Sequence, residues 1–239
     1  MKTEIHKANS RGYAKHGWLE TYHSFSFADY YNPKRMGFGV LRVINDDTIA
    51  PGAGFGEHPH RDMEIITIPL TGSLAHRDSL GNSATIKTGE VQVMSAGTGV
   101  VHSEYNATEK ESVSLLQIWI ETGKPAAEPR YDQKAFDAKE WNTAFRLVVG
   151  PLGDITEKEG VLGIHQDAYL TLGTFDPNAE ARYELKDSKH GVYVFVIEGE
   201  VQSGDTVLGK RDALGISEID HFTLLSRAKS TLLLIEVPL

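Results

Sequence analysis

The sequence predicts an all-β protein built as two consecutive barrels, and three observations predict it. Short apolar runs recur at strand length, clusters of Gly, Pro, Asn and Asp separate them, and the pattern occurs twice on either side of a polar stretch. In the first half the runs are Val40 to Ile44, Met63 to Leu70, Ala84 to Lys87, Val91 to Met94 and Ser114 to Ile120. Thr71-Gly72, Leu80-Gly81-Asn82 and Thr88-Gly89 lie between them, where positive φ is needed. Gln117-Ile118-Trp119-Ile120 alternates poorly, as a strand buried on both faces would. Residues 123 to 141, opening with Gly123-Lys124-Pro125 and Glu128-Pro129-Arg130, read as a linker. Phe145 to Val149, Ala168 to Phe175, Gly191 to Ile197, Glu200 to Val207 and Ser230 to Val237 then repeat the strand grammar. We therefore expect one domain over 1–125 and a second over 126–239, related by internal duplication.

Composition narrows the chemistry. The chain has 239 residues and a formal charge of −9, with no Lys/Arg cluster to neutralise phosphates, so direct nucleic-acid binding is not expected. It has no cysteine, which removes disulfides, thiolate metal sites and cysteine nucleophiles. Any metal site must use His and carboxylates. No run approaches the roughly 18 apolar residues of a membrane span, and the N-terminus lacks the apolar stretch of a signal peptide, so a cytoplasmic protein is expected.

Residues two apart on a strand share a face. His58-Pro59-His60 therefore presents two imidazoles together, and His102-Ser103-Glu104 presents a second same-face pair. Three imidazoles and one carboxylate suit one divalent transition ion, Fe, Mn, Co, Ni, Cu or Zn, rather than Ca or Mg. Four protein ligands leave up to two octahedral positions for substrate, water or dioxygen. A purely structural zinc would usually be tetrahedral and cysteine-rich. The second half has only His165, His190 and His221, each isolated in sequence, so the chemistry is placed in the first half. His76 is read as an ordinary polar surface or hydrogen-bonding residue and excluded as a ligand, and Asn45-Asp46-Asp47 as a solvated acidic turn. Phe25, Phe27 and Phe55 are candidates to flank an aromatic substrate, against the usual core role of such residues. Pro59 suits an edge strand or bulge.

The arrangement Gly52-x5-His58-x-His60-x3-Glu64, with a downstream Gly89 and His102-x3-Asn106, resembles the two cupin motifs. The strings His58-Pro59-His60-Arg61-Asp62-Met63-Glu64 and Ser95-Ala96-Gly97-Thr98-Gly99-Val100-Val101-His102-Ser103-Glu104 are similar to the pirin family in particular. His16-Gly17-Trp18, His23-Ser24-Phe25-Ser26-Phe27 and Arg42-Val43-Ile44-Asn45-Asp46-Asp47 support that likeness. The resemblance implies a bicupin of two tandem double-stranded β-helix (jelly-roll) barrels, with metal in the first and a degenerate second barrel. It also implies that the acidic ligand is Glu104, where the general cupin pattern would point to Glu64.

Bacterial pirins of this type imply a quercetin 2,3-dioxygenase that opens the central ring of a flavonol with dioxygen and releases carbon monoxide. The implied metal ligands are His58, His60, His102 and Glu104, with iron(II) the favoured ion. Glu104 doubles as the catalytic base, ahead of Glu64 and Glu57. The alternative is a non-catalytic regulator or redox sensor acting through a protein partner.

Overall fold

The computed structural model describes residues 1–153, 156 and 160–239. It contains two sandwiches of the same plan. In the first, a seven-stranded sheet runs in the spatial order Arg130–Ala135, Glu90–Ser95, Met63–Thr71, Val113–Glu121, Leu41–Ile49, Leu19–His23 and Gly12–Lys15. It faces a four-stranded sheet of Gly54–His60, Val100–Asn106, Ser73–Asp78 and Ser83–Lys87. The second repeats this plan. Its seven strands are Lys2–His6, Ala213–Ser217, His190–Glu198, Ser230–Pro238, Tyr169–Phe175, Phe145–Pro151 and Leu162–Ile164. Its four are Glu180–Glu184, His221–Ser226, Glu200–Ser203 and Thr206–Gly209. The expected run Glu200 to Val207 is thus a hairpin rather than one strand. Gly72 and Gly89 adopt φ of 74° and 89° at the turns assigned to them. No helix among the described residues is long and apolar enough to cross a membrane.

Two strands exchange between the halves. Arg130–Ala135, inside the expected linker, pairs antiparallel with Glu90–Ser95, while Lys2–His6 pairs with Ala213–Ser217. The linker reading is corrected accordingly. Arg130–Ala135 is too polar to look like a strand by hydropathy, and its ladder partner is remote in sequence.

The seven-stranded sheets pack against each other, which buries their central strands on both faces. Ile66, Ile68, Leu116 and Ile118 from one sheet share a core with Leu172, Phe195, Leu233 and Ile235 from the other. Each such side chain, fully buried, contributes about 1.5–3 kcal/mol. The opposite faces line the barrel interiors, and there the halves differ. In the second barrel the row reads Leu214, Val194, Leu234 and Thr171 and is mainly apolar. In the first, the row reads Gln92, Thr67, Gln117, Asn45, His23. All five are buried. Apolar packing in that barrel is split into small clusters on either side of this polar belt, Leu19 with Ile49, Leu74 and Leu115, and Ile65 with Met94 and Val100.

Asn45, Asp46 and Asp47 are not a solvated turn. They lie within the strand Leu41–Ile49 and are buried. Strand alternation sends Asn45 and Asp47 into the barrel and Asp46 to the other face, where its Oδ2 accepts from Arg11 Nη1 at 3.0 Å and Arg211 Nε at 2.9 Å. Arg211, which also donates to the Ile197 carbonyl, comes from the second barrel, so Asp46 ties the two halves together. Removing one partner of a buried ion pair leaves uncompensated charge. Asp46→Ala is expected to lower stability by about 3 kcal/mol in chemical denaturation; a loss below about 0.5 kcal/mol, as for an exposed pair, would contradict this assignment.

Candidate metal centre

Among the described residues the strand Gly54–His60 pairs only with Val100–Asn106 and forms the edge of the four-stranded sheet, the place expected for Pro59. Register puts His58 directly opposite His102, and a shift between His102 and Glu104 marks a local bulge. Three rings converge as a result. Centroid separations are 4.9 Å for His58 and His60, 4.4 Å for His58 and His102, and 4.8 Å for His60 and His102. One ring nitrogen from each lies within 4.8 Å of the others, so the three can hold one ion.

Local contacts prepare these rings as ligands. His58 Nδ1 lies 2.8 Å from the Gly56 carbonyl. A carbonyl only accepts, so Nδ1 carries the proton and Nε2 keeps its lone pair. Trp119 closes on His60 edge to face at 4.8 Å. His102 is 2% exposed, and both its ring nitrogens are buried without a hydrogen-bond partner. Burial, then His58 and His60, pushes the His102 imidazole down to about 3; burial and His58 push His60 down to about 4. Neutral imidazoles with unmet lone pairs fit a transition metal.

Glu104 shares the inward face with His102 and is 2% exposed. Its Oε2 accepts from Gln117 Nε2 at 2.8 Å, and its Oε1 faces Thr67 Oγ1 at 3.4 Å. Burial pushes its carboxyl up to about 7, against the Gln117 hydrogen bond and with the charge of Asp47 adding to the rise. Its carboxylate groups within 4.8 Å of ligand atoms of His102 and His76, not of all three clustered histidines. Glu64 stands elsewhere. It shares the strand face of Ile66 and Ile68, and its oxygens take Ser95 Oγ at 2.5 Å and Thr122 Oγ1 at 2.8 Å. Glu57 is exposed.

His76 corrects the sequence reading in part. It is fully buried, not a surface residue, although its hydrogen-bonding role holds: Nε2 lies 3.0 Å from Asp78 Oδ2. Its ring sits 5.3 Å from that of His102 and 4.7 Å from Tyr131, and its Nδ1 has no partner. Alternation within Ser73–Asp78 puts His76 on the face of the buried Leu74, a signal present in the sequence. His190 is also not isolated in space. Its Nδ1 lies 3.1 Å from Glu236 Oε1, and Nε2 is 3.4 Å from Asp167 Oδ2, with Asp187 adjacent. A single imidazole there lies among three carboxyl groups, those of Glu236, Asp167 and Asp187.

Beside the histidines opens a cavity of about 400 Å³, within the range of about 300–1,000 Å³ usual for small-molecule sites. Trp18, Phe27, Phe55 and Trp119 wall it, with Glu104 and Asp47 among its polar lining. Phe27 and Phe55 flank the cavity as expected, whereas Phe25 belongs to the core between the barrels. Burial pushes the Asp47 carboxyl up to about 7, opposed by a hydrogen bond from Thr21 and reinforced by Asp46. A second cavity of about 430 Å³ between the barrels, lined by Leu70, Trp141 and Ile197, contains none of the histidines.

Gln117→Leu removes the amide donor that favours ionised Glu104. In the metal-free protein the Glu104 carboxyl should then titrate above 7, read from its carbonyl stretch by infrared difference spectroscopy against Glu104→Gln; an unmoved titration would mean that this hydrogen bond does not govern the group.

Known proteins resemble this chain along nearly its whole length. The family model described as Pirin matches residues 4–120, and one described as Quercetinase C-terminal cupin domain matches 154–237. The chain is 41% identical over 234 residues to the quercetin 2,3-dioxygenase of Escherichia coli K12, covering 98% of both chains. It is 38% identical to a pirin-like protein of Caulobacter vibrioides, covering 94% of this chain and 95% of that one. The crystal structure of the bacterial pirin YhhW from Escherichia coli in complex with nickel(II) superposes with a TM-score of 0.92 at 39% identity, covering 99% of each chain. A quercetin 2,3-dioxygenase from Acinetobacter baumannii shares the fold, with a TM-score of 0.76 at 23% identity, covering 98% of this chain and 85% of that one. With two cupin barrels, a histidine cluster in the first and relatives matched over most of their length, this chain belongs to the pirin family.

Proposed function

We propose that this protein is a metal-dependent dioxygenase that opens the central ring of flavonols such as quercetin and releases carbon monoxide. One divalent transition ion is held by His58, His60, His102 and Glu104 in the unit 1–125, the degenerate unit 126–239 serves as its buttress, and the protein works in the cytoplasm. The observation that carries the reading is the partnerless, fully enclosed His102 imidazole, within a three-histidine cluster beside an aromatic-walled cavity. The nickel complex of a relative supports a first-row divalent ion. Iron(II) is our favoured ion.

An ion held by His58, His60, His102 and Glu104 would supply Lewis acidity at a flavonol hydroxyl. The chain's own residues do the rest. Trp119 and Phe27, in edge-to-face contact at 5.3 Å, form a continuous stretch of the cavity wall against which a flat ring would lie. Glu104 receives the hydroxyl proton at a carboxylate oxygen. A group near 7 is suited to exchange a proton at neutral pH. Gln117, anchored through Thr67 Oγ1 at 3.0 Å, holds that carboxylate in line. One dioxygen is consumed for each carbon monoxide released, and no external reductant is required.

Two measurements test this. Aerobic incubation of metal-loaded protein with quercetin should release carbon monoxide, and His58→Ala or His102→Ala should lose at least a hundredfold in turnover; no turnover with Fe, Mn, Co, Ni or Cu would sink the enzymatic reading and favour a metal-bound regulator. Metal affinity should also depend on pH with a defined sign. Protons compete with the ion for Glu104, so affinity should fall roughly tenfold per pH unit as pH drops below about 7. His60 and His102 should add their own losses only near 4 and 3. The proton release that accompanies binding in isothermal titration should grow as pH falls through about 7 and be smaller in Glu104→Gln.

A further inference from the structure

Most of the cavity's polar groups are already engaged. Asn45 Oδ1 is 2.7 Å from His23 Nδ1, and Gln117 is shared between Glu104 and Thr67. Two buried atoms among the lining residues have no partner at all, the acceptor Asp47 Oδ1 and the donor Trp119 Nε1. Asp47 is 4% exposed and lies on the inward face of Leu41–Ile49, two residues from Asn45. Native proteins pair nearly all buried polar groups, so an enclosed carboxyl oxygen without a donor beside a ligand cavity marks a place for a ligand's donor.

We propose that Asp47 is a specificity-determining residue that accepts a hydrogen bond from a substrate hydroxyl lying away from the metal-chelating oxygens. This inference rests on the flavonol reading of the same site and narrows it to planar polyphenols that carry a further free hydroxyl. A phenol suits both orphaned atoms, because its hydroxyl donates to a carboxyl and its oxygen accepts from an indole N–H. The four aromatic walls select the flat ring, and Asp47 selects its substitution. A site built to bond a hydroxyl discriminates strongly against the analogue that lacks it.

Binding rather than turnover provides the test, with nickel-loaded protein, exclusion of oxygen and quenching of tryptophan fluorescence as the readout. Quercetin and a series of flavonols each lacking one hydroxyl other than the chelating one are titrated into native protein, Asp47→Ala and the isosteric Asp47→Asn, which guards against a folding defect. Asp47→Ala should weaken quercetin about tenfold or more, and one analogue, already weaker for native protein, should lose nothing further. Asp47→Asn should keep part of the affinity. Equal affinity of native and Asp47→Ala protein for every flavonol, or an equal loss across the series, overturns the assignment. Binding without oxygen-dependent carbon monoxide release would overturn the dioxygenase reading alone, with the Asp47 contrast still readable. No binding of any flavonol would overturn both.

Discussion

The candidate site depends on a single ladder position, His58 opposite His102 across the antiparallel pair Gly54–His60 and Val100–Asn106. Because side chains alternate along a strand, that position also determines that His60 and Glu104 point inward with them. A slip of one residue would turn the whole set outward. Local features protect the register. Asn106, at the end of the second strand, donates to the carbonyls of Ile49, Ala50 and Glu111, and its Oδ1 accepts from Thr108 N. At the other end the Ala96 to Gly99 turn is held by the Asp62 N–H on the Gly97 carbonyl. Gly97 has φ of 47°, and a Cβ there would stand 2.1 Å from the Ala127 carbonyl oxygen. The motif glycine is therefore required by space as well as by conformation.

The same sandwich occurs twice, with a polar belt across the interior of the first barrel and a mainly apolar row across that of the second. The difference lies in one row of residues. Where the second barrel places Leu214, Val194 and Leu234, the first places Gln92, Thr67, Gln117, Asn45 and His23. Hydrocarbon fills an interior to near-crystalline density, whereas polar side chains must be bonded to be buried and so hold open a structured space. The apolar half contributes stability through the shared core of the two large sheets, and exchange of Lys2–His6 and Arg130–Ala135 locks the halves together.

Much of this is legible in the sequence. Apolar run length and turn glycines predicted the strands, and the x-His-x-His and His-x-Glu spacings predicted shared faces, because both depend on local periodicity. What depended on distant partners was not legible. Arg130–Ala135 is polar and becomes a strand only beside Glu90–Ser95. Asn45-Asp46-Asp47 has turn composition, but Asp46 meets Arg11 and Arg211 while Asn45 and Asp47 face a polar interior. His76 lacks a second histidine two residues away, and its nearness to His102 comes from pairing of Ser73–Asp78 with Val100–Asn106. A period of two reveals which residues share a face, not what that face meets.

The central claim is that one ion is bound in the first barrel by three imidazoles and Glu104. Anomalous scattering at the metal edge from crystals of protein purified without a metal-affinity tag tests it most directly. The account predicts one strong peak per chain, about 2.0–2.2 Å from a ring nitrogen of His58, His60 and His102 and from a Glu104 oxygen. A peak that excludes Glu104, or none within the histidine cluster, would contradict it.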